Sequence, residues 1–127
     1  MLRSPDAVSH EASTPDYLDA IFAALRAFGQ ELEASRRWLG RAEQTENQAW
    51  RLSFLRAARA SYERSPALLA TVGERLGALG PVERMPPPFD RIQENLTTMH
   101  RELAAQGERL TRIEAREAQG AAPIGQA

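Results

Sequence analysis

The chain is predicted to be all-α: an antiparallel helical hairpin or bundle of three to four helices, with a long, coiled-coil-like C-terminal helix. Three observations carry this. Apolar residues recur at 3-4 spacing in Phe89, Ile92, Leu96, Met99, Leu103, Leu110 and Ile113, interrupted only by the uncharged Gln106. The same spacing recurs in two earlier segments. Pro-Gly signals, above all Gly80-Pro81 and Pro86-Pro87-Pro88, separate the last periodic run from those before it. A 3-4 repeat lays one narrow apolar stripe along a helix, the pattern of a coiled-coil or bundle seam.

The first thirteen residues are polar and aperiodic and are expected to form a tail. Thr14-Pro15-Asp16 reads as a helix start: Thr14 can cap, Pro15 suits the first helical position, and Asp16 and Asp19 complement the dipole. Leu18, Ile21, Leu25, Phe28, Leu32, Ser35 and Leu39 follow, with Phe22 and Trp38 widening the stripe, and Gly40 is a plausible stop. This first helix is expected over 15–39.

A second helix is expected over 43–64, with Trp50, Phe54, Leu55, Ala58 and Tyr62 on one broad face. Ala57, Ala58 and Ala60 would let a neighbouring helix approach closely. At Ser65-Pro66 the proline lacks a backbone donor and disfavours helix in the residue before it. Either a new helix starts there, capped by Ser65, or one helix continues with a kink. The third segment, 66–79, shows Leu69, Val72, Leu76 and Leu79, weakened by Gly73 and Gly77. Gly80-Pro81 ends it. The run from Gly80 to Pro88, with Pro86, Pro87 and Pro88 in succession, is read as an extended connector. A single run of three prolines is short for a polyproline docking site, so a stiff spacer is the preferred reading. The last helix is expected over 90–119, about 45 Å long at 1.5 Å per residue, and 120–127 as a second tail. Residues 14–119 would thus form a single helical domain, in keeping with a length of 127 residues.

Composition narrows the chemistry. All sixteen basic residues are Arg. Because they are spread through every segment, an Arg-rich, bacterial-like codon bias explains them better than selection for phosphate or carboxylate recognition. The lack of Lys excludes a Schiff-base or amine nucleophile and a P-loop. The lack of Cys excludes disulfides and thiolate chemistry and suits the cytoplasm, the expected compartment. No apolar run approaches the roughly 20 residues of a membrane span, and the N-terminus lacks the order of a signal peptide. A membrane partner is not expected.

No catalytic, cofactor-binding or metal-binding residue is assigned, and no cofactor is expected. His10 and His100 lack convergent companions, and a metal site needs three or four ligands. No Glu-x-x-His pair, serine triad motif or glycine-rich phosphate loop is present. The expected function is therefore non-enzymatic: a helical scaffold, adaptor or assembly component acting through helix–helix contact. Partners would be a second copy, as a homodimer or higher oligomer, and another protein. The interface would be the stripe Phe89, Ile92, Leu96, Met99, Leu103, Leu110 and Ile113. A soft point at Gln106-Gly107 would divide it into a half packed within the chain and a half, Leu110 and Ile113, left for a partner.

The alternative reading is a dimeric nucleic-acid-binding regulator. Residues 36–64 carry seven Arg against Glu43, Glu46 and Glu63, a net of +4, whereas residues 1–35 carry a net of −4. Arg51, Arg56, Arg59 and Arg64 would be the contacts, with Trp38, Trp50 or Tyr62 near for stacking. The competing explanation is intramolecular: the acidic first helix lies beside the basic second one. Trp50, Phe54 and Tyr62 could also line an aromatic ligand pocket, though aromatics at helical spacing are more often ordinary core.

Overall fold

A computed structural model describes the backbone of residues 5–81 and 84–126, and the side chains of 18–81 and 84–120. It is all-helical, with no strand among the described residues. Three helices follow in order: α1 (Pro5–Gln44), α2 (Gln48–Gly77) and α3 (Phe89–Gln126).

The first helix starts ten residues before the expected position. Pro5 fits a first helical turn as well as Pro15 does, and no Gly or Pro interrupts the residues between them. Pro15 inside the helix then removes one hydrogen bond without ending it. The expected tail is therefore helix from residue 5, and residues 1–4 lie outside the described residues. Gly40 does not stop α1 either. Only Gly80 takes a positive φ, +99°, among the described residues. A glycine ends a helix by adopting the left-handed conformation, and Gly40 and Gly120 keep helical backbone. Gly120 sits among alanines, and α3 runs on through the expected C-terminal tail to Gln126, with Ala127 outside the described residues.

Arg41 to Gln44 belong to α1, so the first turn is Thr45–Asn47, and α2 opens at Gln48. Asn47 caps it: the side-chain oxygen accepts from the Trp50 backbone N–H at 2.9 Å. Of the two alternatives at Ser65-Pro66 the continuous one is found: the second helix and third segment are one helix of 30 residues with Pro66 inside it. Pro66 is exposed, and its missing N–H costs α2 one hydrogen bond without ending it. Ser65 caps nothing. Its hydroxyl is buried and donates back to the Ser61 carbonyl at 3.1 Å. Gly80 then ends the chain's course along α2, as its pairing with Pro81 suggests. The connector is anchored rather than merely extended: Met85 is buried in the core while Pro86 to Pro88 are exposed.

The three helices lie side by side, with α2 antiparallel to both neighbours. Arg64 pairs with Glu31 of α1, and Arg51 and Arg59 pair with Glu117 and Glu114 of α3. Two apolar clusters fill the space between them. The larger joins Ile21, Phe28 and Leu32 to Leu69, Val72 and Leu76, and to Met85, Phe89, Ile92, Leu96 and Leu103. The smaller joins Leu39, Ala42, Leu55, Ala58 and Leu110. A buried polar layer separates them. Gln106 Nε2 donates to Ser35 Oγ at 3.0 Å, and Ser35 Oγ donates to the Ala58 carbonyl at 2.8 Å. No buried side-chain polar atom among the described residues lacks a partner. A satisfied layer of this kind fixes one register of α3 against α1, because sliding would strand its donors.

Candidate docking surface

The α3 stripe is enclosed by its own chain. Phe89, Ile92, Leu96, Leu103, Gln106 and Leu110 are buried, and Met99 and Ile113 are half-buried against the two clusters. The division at Gln106-Gly107 does not exist. The C-terminal half of the stripe is covered by the first half of α2 and the end of α1: Leu110 packs with Leu55, Ala58, Leu39 and Ala42, and Arg51 reaches Glu117. Gln106 closes the polar layer, and Gly107 makes room for Tyr62: a Cβ there would lie 2.3 Å from the Tyr62 hydroxyl oxygen.

Of the four arginines considered for nucleic-acid contact, three are occupied. Arg51 donates to Glu117 at 2.7 Å and to the Thr45 and Glu46 carbonyls at 3.2 Å, tying the α1–α2 turn to α3. This hydrogen bond holds the Glu117 carboxyl below the usual glutamate range. Arg59 forks onto Glu114 and reaches Thr111. Arg64 bonds Glu31 at 2.8 Å and lowers that carboxyl in the same way. Of the four, Arg56 alone makes no ion pair or hydrogen bond among the described residues. Three of the seven arginines of the basic stretch are thus paired with carboxylates, two on α3 and one on the acidic α1 expected to do it.

What remains outward lies beside the first turns of α2. Trp50 falls on the broad face with Phe54, Leu55 and Ala58, yet it is 60% exposed. It packs on Phe54 (ring centroids 5.8 Å apart), which stacks on Trp38 (5.6 Å), and Arg41 lies 5.0 Å above the Trp38 ring. Tyr62 takes no part in this stack, so the three aromatics form no ligand pocket. On the opposite flank of α2, Leu52 is 37% exposed at the edge of an open groove of about 430 Å³ between α2 and α3. Leu52, Leu55, Ala60 and Ala118 give the groove apolar surface, and Arg56 and Glu63 stand on it as charges. In the sequence Leu52 is an apolar residue beside the buried Leu55 and Ala58, which alone does not mark it as exposed.

Among the described residues no group of three or more His, Cys, Asp or Glu is placed to hold a metal ion, and no helix is long and apolar enough to cross a membrane. No protein-family model, curated protein or solved structure matches the chain.

Proposed function

We propose that the chain is a non-enzymatic helical adaptor of the cytoplasm: a coiled-coil-type bundle that docks a partner helix on the outward face of α2. The observation that carries this is the groove edged by Leu52. It is an open apolar trough between two antiparallel helices packed side by side, the shape that an amphipathic helix fills. The α3 stripe, already enclosed, is not the docking element. Leu52 is 37% exposed beside the apolar surface of Leu55, Ala60 and Ala118, so the groove is one contiguous apolar patch. A photo-crosslinking amino acid at position 52, with the exposed Arg101 position as control, tests the proposal in cells. A discrete protein adduct at 52 and none at 101 is expected. Equal labelling at both, or none at 52, would overturn it.

A further inference from the structure

We infer that the occupant of this face is a second copy of the chain, laid antiparallel across α2 about a two-fold axis between Arg59 and Ala60. The inference rests on the adaptor reading of the groove and names its partner. In a two-fold interface the same patch meets itself, so positions equally far from the axis face each other. Arg56 then faces Glu63 of the partner subunit, and Glu63 faces the partner's Arg56. Leu52 lies opposite the partner's Ala67, and Ala49 opposite the partner's Ala70. Every one of these positions is exposed.

The charges select this arrangement. A parallel pairing would set Arg56 against Arg56 and Glu63 against Glu63; the antiparallel one makes two opposite-charge contacts from one pair of residues. Arg51, Arg59 and Arg64 already have carboxylate partners within the chain, but Arg56 has none. Glu63 has neither hydrogen bond nor ion pair, lending only a through-space attraction to Arg59. The two unpaired charges of the groove are thus opposite in sign and about two helical turns apart on one exposed face of α2. Between them stand Arg59, bonded to Glu114, and Ala60, whose small side chain lets the two α2 helices come close. From Ala49 to Ala70 the contact would run roughly 32 Å at 1.5 Å per residue.

The test is a charge swap followed by sedimentation of the purified full chain. Wild type is expected to be dimeric. Arg56→Glu puts four carboxylates at the axis and Glu63→Arg four guanidinium groups, so each variant alone is expected to dimerise at least about tenfold more weakly. Mixed in equal amounts, the two are complementary again and the dimer should return. The double variant R56E/E63R should self-associate like wild type. Both positions are exposed, so helicity by circular dichroism should not change. A monomeric wild type, single variants that dimerise undiminished, or a mixture that stays monomeric would overturn the inference. If wild type is monomeric while position 52 still crosslinks to a different protein, the second copy is wrong and the adaptor reading stands. If neither occurs, both fall.

Discussion

Gly107 shows how one residue's role depends on its neighbour across the interface. Alanine is favoured over glycine inside a helix by about 1 kcal/mol, so Gly107→Ala would stabilise an isolated α3. In the folded chain the new methyl would meet the Tyr62 ring, with Cζ at 2.7 Å. Tyr62 is wedged between both apolar clusters with Arg59 5.4 Å over its ring. Overpacking typically costs about 1–3 kcal/mol, which outweighs the propensity gain. Urea denaturation should find Gly107→Ala less stable than wild type, and a more stable variant would show that Tyr62 can step aside. Next to it, the polar layer gives an ordered pair of outcomes. Gln106→Leu removes a donor but leaves Ser35 bonded to Ala58, and should stay within about 1 kcal/mol of wild type. Ser35→Ala strands the buried Gln106 amide and should cost about 1–3 kcal/mol. The reverse order would mean that Gln106 finds another partner. The sequence made this point legible as an interruption of the stripe. It could not say that the interruption holds a hydrogen-bonded layer and a tyrosine, because both depend on residues about 45 to 71 positions away.

At the scale of the element, helices were legible from the 3-4 spacing, and their ends were not. Ser65-Pro66 and Gly120 look like breaks, yet the helix passes through both, because Pro66 points to water and the burial of Leu69, Val72 and Leu76 outweighs one missing hydrogen bond. The sequence did contain the Asn47 cap, a strong start signal that the neighbouring arginines and Thr45 obscured. Continuity of α2 makes Gly73 a plain weakness: a Cβ there meets nothing within 4 Å. Gly73→Ala should therefore stabilise by about 0.5–1 kcal/mol, the opposite sign from Gly107→Ala, in the same urea assay. The end of α3 depends on pH instead. Its Glu117 is held below the usual glutamate range first by the Arg51 hydrogen bond, against a smaller opposing effect of burial. A depressed folded value means stability present above the unfolded value, about 4.3, and lost as pH falls through the lower folded one. Thermal melts should show wild type losing stability below that point, and Glu117→Gln should lose less of it over the same range.

For the whole molecule, the long α3 stripe is answered within the chain, and this separates two kinds of variant that the sequence alone would merge. A helix seam left in water predicts that Leu103→Asp breaks association and spares the helices. In the folded chain Leu103 is 8% exposed, inside the larger cluster, and an unpaired carboxylate there is strongly destabilising. Leu103→Asp should therefore lose helicity itself. Leu110→Ala, fully buried in the smaller cluster, should cost about 2–5 kcal/mol in a folded and still cooperative protein. The α2 charges belong to the other kind: altering Arg56 or Glu63 should change sedimentation and leave the melting curve in place. Measuring both readouts on all four variants asks one question of the architecture, whether the seam that makes the fold and the face that makes the assembly are different surfaces. A Leu103→Asp protein that keeps its helicity and is merely monomeric would return the interface to α3 and remove it from α2.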